Sequence, residues 1–215
     1  MLKKIILLAG PTASGKSLLA IHLAKKINGE IINADSMQIY KEFKILSSRP
    51  SISDFQKIKH HLYGIISVKK YFSAGNWLKE VKKKIDHCLK KKKIPIVVGG
   101  TGLYFNTITK GISKIPDIDL ITRNKVRALF KKLGSKNFFE KLLVLDPKAK
   151  DKILPTDSQR LQRAYEVKIK TKKSLFDWIV ETKSDFLNFN LKKIYINIPR
   201  EELLLKISKR TESMF

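Results

Sequence analysis

A chain of 215 residues, 43% of them hydrophobic, can bury a sizeable core, so an α/β domain with room for a subdomain is expected and a disordered or fibrous chain is excluded. No apolar run approaches the roughly 20 residues that span a bilayer, so a soluble protein with no membrane partner is expected. The 45 Lys and Arg against 19 Asp and Glu, formally +26, favour a polyanion such as RNA or DNA as partner; a general abundance of Lys, Ile and Asn, with the charge on a solvated surface, accounts for them as well.

Lys4–Ala9 reads as a buried strand. The segment Met1–Leu8 imitates a signal peptide, but its apolar run is short and leads straight into a Gly-rich turn, so a cytoplasmic location is expected. Lys16–Ile27 repeats apolar residues at helical spacing, with Leu19, Leu23 and Ile27 on one face. Glu30–Ala34 is a second strand, which delivers Asp35 and Ser36 to the carboxyl end of the sheet, where open parallel sheets bind ligands. Ser51–Lys59 reads as helix and Tyr63–Val68 as extended. Ser73–Lys92 is a long helix with Trp77, Val81, Ile85 and Leu89 on one side. Ile94–Val98 is another buried strand, closed by Gly99-Gly100-Thr101-Gly102. This alternation predicts a parallel sheet covered on both faces. From Asp119 to Ile179 the pattern is helical, broken at Gly134, Pro147 and Pro155, with Thr156-Asp157-Ser158-Gln159 at capping-box spacing before a helix through Lys170. Strand character returns at Lys193–Ile198, and Pro199 opens a last helix. The expected organisation is an α/β core over residues 1–111, a helical insertion over 112–191 and a return to the core over 192–215.

Gly10, Pro11, Thr12, Ala13, Ser14, Gly15, Lys16 and Ser17 form a complete P-loop between strand and helix, the context its mechanism requires. Backbone amides face the phosphates, Lys16 supplies a point charge, and the Ser17 hydroxyl is placed to ligate Mg²⁺. The buried strand 94–98 ends in glycines where many NTPases place a magnesium-binding aspartate, which argues against a conventional ATPase. Asp35 is either a general base near the phosphates or a turn cap. Cys88, alone in the chain, reads as an ordinary helix thiol and permits neither a disulfide nor a thiolate cluster within one chain. His60 and His61 offer a metal no third ligand in their motif and read as structural.

Taken together, the P-loop, Asp35-Ser36-Met37-Gln38-Ile39-Tyr40-Lys41, His60-His61-Leu62, Gly99-Gly100-Thr101-Gly102-Leu103-Tyr104 and Asp157-Ser158-Gln159-Arg160-Leu161-Gln162-Arg163-Ala164 resemble, in order, the motifs of the tRNA dimethylallyltransferase family. The resemblance implies a P-loop α/β fold with a helical insertion. It implies transfer of a dimethylallyl group from dimethylallyl diphosphate to the exocyclic amine of the adenosine 3′ of the anticodon, with Mg²⁺ as cofactor and the tRNA anticodon stem-loop as partner. The P-loop then holds a leaving diphosphate, Asp35 is the general base, and Thr101 contacts substrate or caps the following helix. Asp35, Ser36, Met37, Gln38 and Thr101 are implied to meet the extruded base, and Gln159, Arg160, Leu161, Gln162, Arg163 and Arg123 to contact tRNA. A monomer is expected. Leu46-Ser47-Ser48-Arg49-Pro50 departs from the family's Gly-Thr-Ala-Lys-Pro-like stretch, and the chain stops just after Arg210-x-x-x-Met214, where family members usually continue. A P-loop kinase of a nucleotide or small metabolite, or a shortened tRNA-binding protein without activity, are the competing readings.

Overall fold

The computed structural model describes residues 3–214; Met1, Leu2 and Phe215, at the ends of the predicted domain ranges, lie outside the described residues. The chain divides into two compact units, Met1–Lys110 with Ser184–Phe215, and Gly111–Lys183.

The first unit is built on a five-stranded parallel sheet in the order β3-β2-β4-β1-β5. Its strands are β1 (Lys3–Ala9), β2 (Gly29–Asn33), β3 (His60–His61), β4 (Ile94–Gly99) and β5 (Phe189–Tyr195). Successive residues of β1 point to opposite faces. Ile6 and Leu8 therefore meet Ala20, Ile21 and Ala24 of α1 (Lys16–Ile27), while Ile5 and Leu7 join the cluster formed by α3 (Ala74–Lys90) and α4 (Gly102–Thr109). Trp77 and Tyr104 stack there with ring centroids 4.2 Å apart. The sheet is thus covered on both faces, as the near-continuous apolar strands require. A short helix, α2 (Ile52–Lys57), opens with a capping box at Ser51 and Asp54.

Three boundaries differ from the sequence reading. Pairing at the β3 edge falls on His60–His61, because Leu62 and Gly64 have φ of 63° and 58° and break the extended run; beyond them Ile66 forms an isolated bridge with Tyr40. The last strand begins at Phe189, paired with Lys3, rather than at residue 193. Its alternating half-buried and exposed residues make it an edge strand, so no continuous apolar run announces it. The chain rejoins the first unit at Ser184 rather than at residue 192, with Phe186 buried in the α3–α4 cluster and the Ser184 hydroxyl donating to the Ile108 carbonyl. The last helix of this unit is α8 (Arg200–Glu212).

The second unit is helical: α5 (Leu120–Leu145), kinked at Gly134 where φ is 70°, a 3-10 turn at Pro147–Ala149, α6 (Ser158–Thr171) and α7 (Leu175–Val180). Its own core holds Val126, Phe138, Leu142, Leu161, Ala164 and Tyr165. The cap of α6 is Asp157, whose side chain accepts from the Arg160 amide, and not Thr156 one residue earlier.

Candidate active site

The turn from β1 into α1 is shaped to expose amides. Ala13 and Gly15 both take left-handed backbone, with φ of 57° and 79°, so neighbouring N–H groups converge toward one concavity. Gly10 is needed for packing: a Cβ there would stand 2.9 Å from Ser14 Oγ and 3.2 Å from Ile196 Cβ. Lys16 folds back over the turn and donates to the Pro11 carbonyl at 2.9 Å. Burial lowers its ammonium pKa, Asp35 works against that, and Arg210 adds to it. Among the described residues Ser14 Oγ is buried without a hydrogen-bond partner, and Ser17 is exposed.

The carboxyl end of β2 aims Asp35. Asn33 is fully buried and its amide is satisfied on both sides, accepting from the Asp35 N–H at 2.8 Å and donating to the Asp35 and Leu62 carbonyls at 2.9 and 3.1 Å. Trp77 Nε1 donates to the Asn33 carbonyl at 2.9 Å, tying this corner to α3. Asp35 then serves in two ways: Oδ1 accepts from the Met37 N–H at 2.9 Å as a turn cap, while the residue also lines the cavity beside the P-loop. The two sequence readings of Asp35 are therefore compatible.

That cavity, of about 340 Å³, brings together Thr12–Ser17, Asp35, Met37, Gln38, Leu46–Ser48 and Arg210. Gln38 spends its side-chain NH₂ on the Ser47 and Ser48 carbonyls at 2.9 and 3.1 Å, which fixes the loop opposite the phosphate turn. Arg210 of α8 reaches the Thr12 hydroxyl as donor. Sequence reading attached no role to Arg210. Its only signal was the Arg210-x-x-x-Met214 pattern, and the contact spans almost the whole chain.

Thr101, Ser36, Gly10 and Pro11 do not line the cavity. Thr101 sits at the N-cap position of α4 without capping it; its Oγ1 instead accepts from the Ser36 N–H at 2.9 Å and approaches Ser36 Oγ at 3.2 Å. It positions the Asp35-Ser36 turn. The absence of an aspartate at the end of β4 also has a steric cause: a Cβ on Gly99 would stand 2.1 Å from the Ala34 carbonyl oxygen.

In the helical unit, Gln159 and Arg160 are exposed and Arg163 is partly so, in an ion pair with the buried Glu166 at 3.7 Å. Gln162 donates to the Ser158 carbonyl at 3.1 Å. Leu161 is corrected: it is fully buried among Val126, Phe138 and Leu142, so its side chain belongs to the core and is out of reach of RNA. Arg123 is half-buried, with Nε unpartnered.

A parallel sheet with a P-loop turn at the end of β1, and a carboxylate beside it at the end of β2, defines a P-loop α/β protein. Residues 38–215 match the family described as IPP transferase. The chain belongs to that family. It is 56% identical over 211 residues to a tRNA dimethylallyltransferase of Pelagibacter ubique (strain HTCC1062), covering 98% of this chain and 67% of that one. It is 45% identical to a tRNA dimethylallyltransferase of Rickettsia massiliae (strain Mtu5), covering 99% and 59%. A solved eukaryotic dimethylallyltransferase acting on tRNA superposes with a TM-score of 0.85 at 30% identity, over 99% of this chain and 52% of that one. The chain therefore spans between about half and two thirds of the length of these relatives. The P-loop precedes the family match and is covered by the whole-chain relatives. Among the described residues no helix is long and apolar enough to cross a membrane.

Proposed function

We propose that this chain transfers a dimethylallyl group from dimethylallyl diphosphate to the exocyclic amine of the tRNA adenosine 3′ of the anticodon, releasing diphosphate. The observation that carries the reading is one cavity joining the P-loop, Lys16 and Arg210 to the Asp35 carboxylate. As the carbon–oxygen bond breaks, negative charge builds on the diphosphate. The turn amides, Lys16 and Arg210 oppose that charge more strongly in the transition state than in the ground state. Asp35, held at Oδ1 by Met37, takes the amine proton as the new carbon–nitrogen bond forms. An aryl amine acidifies only as it is alkylated, so a positioned carboxylate suffices.

Mg²⁺ fits the donor present: the Ser17 hydroxyl is exposed in the P-loop cavity, a hard oxygen ligand of the kind this ion takes together with diphosphate oxygens while keeping waters. Bound with diphosphate, it supplies charge neutralisation. The target base leaves its stack to reach Asp35, and Met37 and the Gln38 side chain, which line the same cavity, are the groups assigned to its edge. Gln159, Arg160, Arg163 and Arg123 supply the RNA contacts of the helical unit.

Incubating the chain with labelled dimethylallyl diphosphate, Mg²⁺ and unmodified tRNA is expected to label the RNA. Asp35→Asn should slow transfer by about 10²- to 10⁴-fold while tRNA affinity stays nearly unchanged. Consumption of ATP without prenyl transfer would establish the kinase reading instead, and tRNA binding with no transfer under any condition would establish an inactive binding protein.

A further inference from the structure

We propose that Glu30, His61 and Cys88 bind one divalent cation of zinc type at the end of the sheet remote from the P-loop. Each residue is buried and offers one ligand atom, a carboxylate oxygen, an imidazole nitrogen and a sulfur, all within 4.8 Å of one another. The topology brings them together. Glu30 lies on the same face of β2 as Ile32, which pairs with His61 of β3, and Cys88 comes down onto that face from the last turn of α3. None of the three lines the active-site cavity, and Glu30 precedes Asp35 by roughly 15 Å of extended chain.

The spacing suits a metal. Zinc with ligands at about 2.0–2.3 Å in tetrahedral array sets a bound sulfur and oxygen roughly 3.5 Å apart. Cys88 Sγ and Glu30 Oε2 are 3.6 Å apart. His61 Nε2 and Glu30 Oε2, now hydrogen-bonded at 2.7 Å, need to open by only about 0.6 Å to become co-ligands. His87, exposed and adjacent to Cys88, has its ring centroid 5.8 Å from that of His61, so a fourth position is open to a water or, after a side-chain rotation, to His87.

Charge points the same way. Among the described residues, no Lys or Arg forms an ion pair with Glu30, whose carboxylate contacts His61 instead. A carboxylate bonded to a neutral imidazole and a thiol leaves one net negative charge buried at the edge of the main core. On binding, the Cys88 thiol gives its proton to solvent and the His61 proton moves from Nε2 to Nδ1, so a dication stands against one thiolate and one carboxylate. The mixed nitrogen, sulfur and oxygen set selects zinc over magnesium. Such an ion ties β2, the two-residue edge strand β3 and α3 at one point. It thereby braces the segment after β3, whose Gly64 and Ile65 amides donate to the Gln38 and Ile39 carbonyls at 2.9 and 2.8 Å beside the active site.

The test is cobalt substitution in the full chain, freed of metal and then given one equivalent of Co²⁺ with Mg²⁺ in excess. Expected are a thiolate-to-cobalt charge-transfer band and tetrahedral d–d absorption, both bleached by one equivalent of Zn²⁺. Ser17→Ala should retain both. Cys88→Ser, shown folded by circular dichroism, should lose the charge-transfer band, and His61→Gln should lower Zn²⁺ affinity by about tenfold or more. Absence of the charge-transfer band in the folded chain overturns the proposal, as does its persistence in Cys88→Ser or an unchanged Zn²⁺ affinity in His61→Gln.

Discussion

Thr101 lies outside the cavity and influences it through Ser36, so its effect on turnover should travel through geometry. Thr101→Val keeps the shape of the side chain but leaves the Ser36 amide without its acceptor. A stability loss of about 1–2 kcal/mol is expected. The rate of transfer should fall while diphosphate affinity is retained, and Thr101→Ser should restore both rate and stability. Equal turnover in Val and wild-type forms, measured on folded protein, would remove Thr101 from the site. Arg210 touches the phosphate turn directly. Its replacement by Ala is expected to weaken diphosphate binding by about 10- to 100-fold, the worth of a charge-assisted hydrogen bond, as read by titration calorimetry.

At the level of elements, Gly99 shows why β4 ends as it does. Gly99→Ala forces a methyl carbon against the Ala34 carbonyl, backbone that itself accepts from the Thr101 amide at 3.2 Å. Destabilisation of about 3 kcal/mol or more is expected, seen as a large fall in Tm, because neither strand can yield without losing the ladder between β2 and β4. A second contrast lies in α6. Leu161→Ala should cost about 2–5 kcal/mol of stability in the helical unit by opening its core, whereas Arg160→Ala, at an exposed position, should leave thermal stability nearly unchanged. The sheet was legible where apolar runs were continuous, as in β1, β2 and β4, and the P-loop because strand and helix flank it at fixed spacing. The edge strands were read out of place, since β3 is cut short by positive φ at Leu62 and β5 alternates polar with apolar residues. Asp35 and Lys16 were found in the sequence because a local motif carries them. Arg210 and the Glu30–His61–Cys88 group were not, since each depends on residues far apart in the chain that only the parallel topology makes neighbours.

For the whole molecule, the net charge of +26 is more than one anion-binding surface needs, and its distribution decides what it does. The lysine run at the end of α3 leads into the start of β4, at the amino ends of the strands, while the P-loop and Asp35 sit at the carboxyl ends. Lys90 and Lys91 are exposed and form no ion pair among the described residues, the pattern of a solvated surface. If charge acts only as a diffuse field, removing any two lysines should lower tRNA affinity alike. If it acts through contacts, location matters, because each neutralised phosphate contributes about 0.7–0.9 to the slope of log affinity against log salt. Lys90→Gln with Lys91→Gln is therefore expected to leave that slope unchanged, and Arg160→Ala to reduce it by about one unit. Filter binding across a salt series separates the two, and a slope that falls equally in both variants would assign the lysine run to the RNA interface after all.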